Sequence, residues 1–127
     1  MEQHLTHIVQ VNLTSGKDTF KPFVTSLTAK TKNEGHDGLI GYNVYFDDEA
    51  EVAVFVITYK NAQAFLDHHD IIGSWQEIQQ GTQISQVTGM SFLGPRSAAL
   101  DEWISSRPFP FKVGKFATHA AGFHRLD

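Results

Sequence analysis

The chain has 127 residues, 41% hydrophobic and 12% aromatic, which is the composition and size of one globular domain with a single core. Its net charge of −4, without long basic runs, argues against a nucleic-acid partner, because phosphate binding needs a basic stripe. The absence of cysteine excludes disulfides, thiol nucleophiles and thiolate metal sites.

The chain begins with a predicted strand and helix. Residues 1–4 lack the basic and apolar regions of a signal peptide, and no apolar run approaches the roughly 18 residues of a membrane span, so we expect a cytoplasmic protein. Residues 7–13 alternate as a strand does. Asp18 or Thr19 is then predicted to cap a helix that frays over residues 30–34 and stops at Gly35. Its apolar stripe consists of Phe20, Phe23, Val24 and Leu27.

A predicted hairpin follows, with strands at residues 39–46 and 52–59 and an acidic turn at residues 47–50. Both faces of these strands are apolar or aromatic, whereas a sheet with one wet face would alternate apolar and polar residues. One domain of this size has helices for one face only. We therefore expect the other face to be covered by a second copy of the chain or by the chain's own tail.

The next helix is predicted to begin after Asn61 and to bury Ala62, Phe65, Leu66, His69 and Ile72. Ser74 to Glu77 read as a capping box that starts a short helix ending at Gly81, and residues 84–93 read as a fourth strand. The predicted class is α+β. The order β-α-β-β-α-β indicates a ferredoxin-like domain at residues 1–94, with a four-stranded antiparallel sheet and helices on one face.

Residues 95–127 are predicted to be an extension packed on the domain or on its partner. Ser97 is placed to cap a helix with an apolar side formed by Leu100, Trp103 and Ile104. The aromatic, proline-containing residues 109–116 read as a packing arm.

The central part of the chain resembles the antibiotic biosynthesis monooxygenase family of the dimeric α/β-barrel superfamily. The resemblance rests on the Gly41-Tyr42 step, the apolar strand ending at Tyr59, and the run from Ala64 to His68. It extends over roughly residues 5–94 and implies that two sheets pair into a dimeric barrel. Ile57 departs from the family pattern, in which many members have a glutamate there. The opening residues 7–9 also resemble stress-responsive barrel proteins of the same fold.

The resemblance implies a histidine that faces a pocket between helix and sheet, and either His68 or His69 fits the spacing. Such a histidine serves as a general base or as a hydrogen-bond donor. Adjacent helical residues point about 100° apart, so at most one of the two is expected to face the pocket. The alternative is structural: His69 at the core edge, bonded to backbone, and His68 solvated. The pair lacks the i, i+4 spacing of metal ligands, so no metal is expected.

The expected substrate pocket is apolar with a few polar groups. Its candidate lining residues are Asn12, Tyr42, Asn43, Phe55, Tyr59 and Trp75. The alternative is that the aromatic residues belong to the core and the dimer interface. The resembling monooxygenases work without a prosthetic group, which implies a cofactor-independent monooxygenase of a small aromatic, quinol or polyphenol substrate. The second hypothesis is a non-catalytic dimeric barrel that binds a small hydrophobic ligand.

Overall fold

The sheet of the computed structural model, which describes residues 4–123 and 125, has the strand order β2-β3-β1-β4-β5. The ends of the predicted domain and extension (residues 1–3, 124, 126 and 127) lie outside the described residues. The elements are β1 (Leu5–Asn12), α1 (Lys17–Glu34), β2 (Leu39–Phe46), β3 (Val52–Tyr59), α2 (Ala62–Ile72), α3 (Gln76–Ile84), β4 (Gln86–Leu93), α4 (Ala98–Ser105) and β5 (Gly114–Phe116). Strands β1 to β4 pair with one another in antiparallel fashion. This confirms the predicted α+β, ferredoxin-like arrangement.

A fifth strand extends the predicted four-stranded sheet. Strand β5, part of the predicted packing arm, runs parallel to β4 and pairs Gly114 with Ser91. The N–H of Gly94 donates to the carbonyl oxygen of Phe116 at 2.9 Å. A Cβ at Gly114 would meet the side chains of Ser91 and Phe116, so the glycine eases this close approach of the two strands. A strand of three residues next to prolines is too short for an alternating pattern to predict it.

The helices all pack on one face of the sheet, as predicted. That face carries the odd-numbered residues of β1 and β3, and it divides into two clusters of buried residues. One contains Val11, Leu13, Phe20, Val24 and Ala53. The other contains Leu5, Ile57, Tyr59, Ala62, Ala64, Phe65, Phe92, Leu100 and Ile104. Helix α4 of the extension therefore packs on the same face as the other helices.

The opposite face of the sheet has an apolar centre and a more polar margin than predicted. Ile8, Val54 and Val56 lie at its centre and are half-buried, whereas Tyr45 on β2 is 58% exposed. Thr58 and Asn43 share this face. Within the part of the chain that the structure describes, no helix covers it.

Several helix ends differ from prediction. Helix α1 starts directly after Gly16, without a side-chain cap from Asp18 or Thr19, and runs to Glu34 without fraying. Helix α3 lacks the predicted capping box, since its N-cap is Trp75 with no side-chain bond. It also continues through Gly81, which lies under the ring of Phe23. Strand β4 consequently begins at Gln86.

Two predicted caps are confirmed. The side chain of Asn61 accepts a hydrogen bond from the N–H of Ala64 at 2.9 Å, and Ser97 accepts one from Leu100 at 3.1 Å. A bulge in β2 shifts the alternation of its first residues, so that Leu39 packs on the core and Ile40 is 45% exposed.

Removing the ring of Phe65 should destabilise the fold strongly. Phe65 is fully buried and contacts the rings of Tyr59, Phe92 and Trp103. Phe65→Ala is expected to lower the free energy of unfolding by about 3–5 kcal/mol in urea denaturation. Phe123→Ala, which truncates an exposed ring, is the control and should change it little. A loss below about 1 kcal/mol for Phe65→Ala would contradict the packing described above.

Candidate functional site

A groove of 410 Å³ lies between the C-terminal end of α1, the loop at residues 35–38 and strand β2. Its volume is in the range of small-molecule sites. The lining residues are Thr28, Thr31, Lys32, Gly35, His36, Asp37, Leu39, Ile40, Gly41 and Tyr42. We call this space the β2 groove.

One tyrosine lines the β2 groove and a second is buried next to it. Tyr42 lines it and packs its ring edge-on against Phe55, with centroids 6.0 Å apart. Tyr59 is buried behind Leu39, its register partner on β2. Burial raises the pKa of both phenols above the usual value, and Tyr42 raises that of Tyr59 further. Both hydroxyls therefore stay protonated at neutral pH and can donate hydrogen bonds.

His68 lies behind the loop that borders the groove. Its side chain is buried against Gly35 and Tyr59, with 3% of its surface exposed, so the alternative prediction of a solvated His68 is wrong. The backbone N–H of His36 donates to its Nδ1 at 3.3 Å, which leaves the ring proton on Nε2. Burial, assisted by His69 and His36, lowers the pKa of His68 to about 4. At neutral pH it is an uncharged donor and a weak base.

His36 also lines the β2 groove, although no sequence pattern described above predicted it. Its Nδ1 accepts from the N–H of Gly38 at 2.9 Å, and its Nε2 lies 3.6 Å from the carboxylate of Asp67 on α2. A Cβ at Gly38 would overlap Ala64, so the loop sits directly on α2. The Gly-His-Asp-Gly run between a helix and a strand was the available signal, since glycines on both sides of a histidine indicate a tightly packed turn.

His69 faces away from the β2 groove, toward α4. Its Nδ1 lies 2.9 Å from the carbonyl oxygen of Phe65, and its ring stacks on Phe65 and meets Trp103 edge-on. This is the predicted core-edge histidine bonded to backbone. Because Nδ1–H donates to that carbonyl, Nε2 holds the lone pair. Burial is the main cause that lowers its pKa.

His7 is a second histidine on the inner face of the sheet. It is 3% exposed, lies parallel to Phe92 with 4.4 Å between centroids, and neither of its ring nitrogens has a partner among the described residues. Burial holds its pKa well below the usual value, with a smaller effect from His69. It therefore packs as a neutral aromatic ring.

The remaining predicted site residues lie elsewhere. Asn12 and Asn43 are exposed on the opposite face of the sheet. Trp75 lies between α1 and α3, where the Lys30 ammonium is 4.5 Å from its ring centre and 3.2 Å from Glu77. Of the predicted site residues, Tyr42 therefore lines the β2 groove, and Phe55, Tyr59 and His68 pack next to its lining residues. Asn12, Asn43, His69 and Trp75 lie apart from it.

Residues 4–123 contain no helix that is long and apolar enough to span a lipid bilayer. Over the same described part of the chain, no three His, Asp or Glu side chains are grouped as metal ligands would be.

Neither a family model nor a curated protein matches the chain, but solved structures do. MupZ from Pseudomonas fluorescens superposes with a TM-score of 0.73 at 19% identity, over 96% of this chain and 94% of its own. SnoaB, a cofactor-independent oxygenase from Streptomyces nogalater, gives 0.64 at 10% identity, over 76% and 96%. A candidate antibiotic biosynthesis monooxygenase from Deinococcus radiodurans gives 0.57 at 15% identity, over 75% and 94%. These likenesses confirm the α+β, ferredoxin-like fold of the single chain.

The three neighbours differ in how much of this chain they match. SnoaB and the Deinococcus protein leave about a quarter of it unmatched, a share the size of the segment after Gly94. MupZ matches nearly the whole chain. A chain with an extension of this length is therefore found on the same fold elsewhere.

The buried histidines should make the fold sensitive to acid. Burial lowers the pKa of His68 from 6.5 to about 4, and it also lowers those of His7 and His69. Between about pH 6.5 and pH 4 the unfolded chain binds protons that the folded chain does not, so the free energy of unfolding falls as the pH drops. Above about pH 7 these groups are neutral in both states and contribute no slope.

Urea denaturation at about pH 7.5 and pH 4.5 measures this loss, of which His68 alone contributes up to about 3 kcal/mol. His68→Gln should flatten the pH dependence. His119→Gln, which replaces an exposed histidine, should keep it. Equal stability of the wild-type protein at both pH values would contradict the neutral, buried state.

Proposed function

We propose that the protein is a cofactor-independent monooxygenase of a small aromatic, quinol or polyphenol substrate that binds in the β2 groove. The observation that carries the proposal is the phenol of Tyr42, an uncharged donor that lines this groove. Two further uncharged donors are buried next to its lining residues: the phenol of Tyr59 beside Leu39 and the imidazole of His68 beside Gly35. Donors in a buried site stabilise an anion more strongly than they do in water.

The reaction that suits such a site starts from a substrate whose own anion reduces oxygen. Loss of a proton from a phenol or an activated ring carbon gives an oxyanion, which the donors stabilise. Electrons then pass from the substrate carbon to dioxygen. One oxygen atom becomes a carbonyl of the product, and the other leaves as water with the two hydrogens that the substrate loses, either both from the oxidised carbon or one from that carbon and one from the phenol. The sheet and α2 provide the apolar surroundings, with Phe55 beside Tyr42.

The protonation states favour the donor role of His68 over the role of base. A pKa of about 4 makes its imidazole a weak base toward a phenol, and His36 already donates to its Nδ1. His69 lies on the side of α2 that faces α4, so the lone pair on its Nε2 is not placed to act as a base in the β2 groove. The proposal therefore requires a substrate acidic enough to ionise with the help of donors alone.

We also propose that the protein is a homodimer whose two sheets face each other. Ile8, Val54 and Val56 form an apolar centre on the face that no described helix covers, and Tyr45 stands exposed beside it. Burying such a centre against a second copy removes apolar surface from water. The polar margin with Asn43 and Thr58 suits the rim of an interface.

Oxygen uptake with a panel of hydroquinones, anthrones and polyphenols tests the proposed reaction. Tyr42→Phe removes one donor and should lower kcat/KM about tenfold or more. Tyr45→Phe removes the same hydroxyl from the opposite face and should leave it unchanged. Uptake that is absent for every compound, or equal in the two variants, would defeat the proposal. Ligand-induced thermal stabilisation without turnover would support the non-catalytic binding protein instead.

Light scattering after size-exclusion chromatography tests the dimer. The wild-type protein should elute with twice the 14.2 kDa of the chain. Val56→Lys places a charge at the centre of the proposed interface and should give a monomer, because an unpaired buried charge is costly. Ala29→Lys, on the exposed side of α1, should remain dimeric. A monomeric wild-type protein would contradict the proposed assembly.

A further inference from the structure

A second groove lies at the opposite edge of the sheet, within the extension. Its volume is 480 Å³, and it runs from the C-terminal end of α4 along the arm to β5. The lining residues are Ile104, Ser105, Arg107, Phe109, Phe111, Lys112, Val113, Gly114, Lys115 and Phe116. We call it the extension groove. The sheet separates it from the β2 groove by the width of the strands between β2 and β5.

The charges of the extension groove have one sign. Arg107, Lys112 and Lys115 line it, and no aspartate or glutamate does. The ion pairs found among the described residues involve other cations. The sequence shows the same contrast: residues 95–127 hold five Lys or Arg and three Asp or Glu, net +2, whereas residues 1–94 hold five and eleven, net −6. A basic groove on an acidic protein attracts anions.

The apolar part of the groove is aromatic. The rings of Phe109 and Phe111 stack with centroids 5.4 Å apart, and Phe116 on β5 is largely exposed to solvent. Apolar rings left accessible beside cations fit a ligand that has a hydrophobic body and a charged end.

Arg107 is held in place before any ligand binds. Its guanidinium lies 3.7 Å from the centre of the Trp103 ring and donates to the Trp103 carbonyl oxygen at 3.1 Å. These contacts use only part of its five donors, and the rest remain for an anion. A pre-positioned guanidinium loses less conformational entropy on binding.

We propose that the extension groove binds a small amphipathic anion, with its aromatic or aliphatic body against Phe109 and Phe111 and its anionic end at Arg107, Lys112 and Lys115. This site does not depend on the reaction proposed for the β2 groove, which lies at the other edge of the sheet.

Fluorescence titration of the full chain with anilinonaphthalene sulfonate tests the site, because this probe combines an aromatic body with an anion. N-phenylnaphthylamine, which lacks the sulfonate, is the matched neutral probe. The sulfonate should bind more tightly, and its Kd should rise with salt between about 0.05 M and 0.5 M. Lys112→Gln/Lys115→Gln should raise that Kd about fivefold or more, since two nearby charges are lost.

The control variant Lys21→Gln/Lys60→Gln removes the same charge from exposed positions outside the groove and should leave the Kd of the sulfonate unchanged. Phenylbutyrate should displace the probe, and phenylbutanol should not. The proposal is overturned if both double variants bind the sulfonate alike, if the neutral probe binds as tightly, or if the alcohol competes as well as the acid.

Discussion

The packing of the Phe65 ring against the sheet is the interaction that sets the directions of both histidines on α2. The ring is fully buried and meets Tyr59, His7 and Trp103 within 5.3 Å between centroids. It fixes the rotation of α2 about its axis. Because adjacent helical residues point about 100° apart, that rotation sends His68 toward the loop at residues 35–38 and His69 toward α4.

The histidines around Phe65 are tolerated in the core because they are neutral. Burial disfavours the imidazolium, so His7, His68 and His69 all have lowered pKa values, and their rings pack as aromatic groups. The same burial raises the pKa of Tyr42 and keeps its phenol protonated. The interior beside the β2 groove therefore offers hydrogen-bond donors and no formal charge. That electrostatic character suits an anion that forms during a reaction.

One face and the two edges of the sheet differ in their chemistry, and each suits a different kind of binding. The face with Ile8, Val54 and Val56 is apolar at its centre and carries no described helix. The β2 edge holds an open groove with neutral donors, and the β5 edge holds a basic, aromatic groove. Solved structures with the same fold differ in how much of this chain they match, from 96% for MupZ to 76% for SnoaB.

The sequence by itself determined the order of the first four strands and of the helices, and the caps at Asn61 and Ser97, because these depend on local periodicity and local hydrogen bonds. It also placed Tyr42 and Tyr59 on strands of one sheet and His68 on the helix that follows, and in the structure Tyr42 packs in the same core cluster as Tyr59, whose ring lies 5.9 Å from that of His68. Only the tertiary structure decided that His68 packs against the loop at residues 35–38, that His69 lies toward α4 and that His36 borders the groove. It also decided that β5 pairs with β4. These outcomes depend on the rotation of α2 and on contacts between residues far apart in the chain. Local sequence patterns predict neither of them.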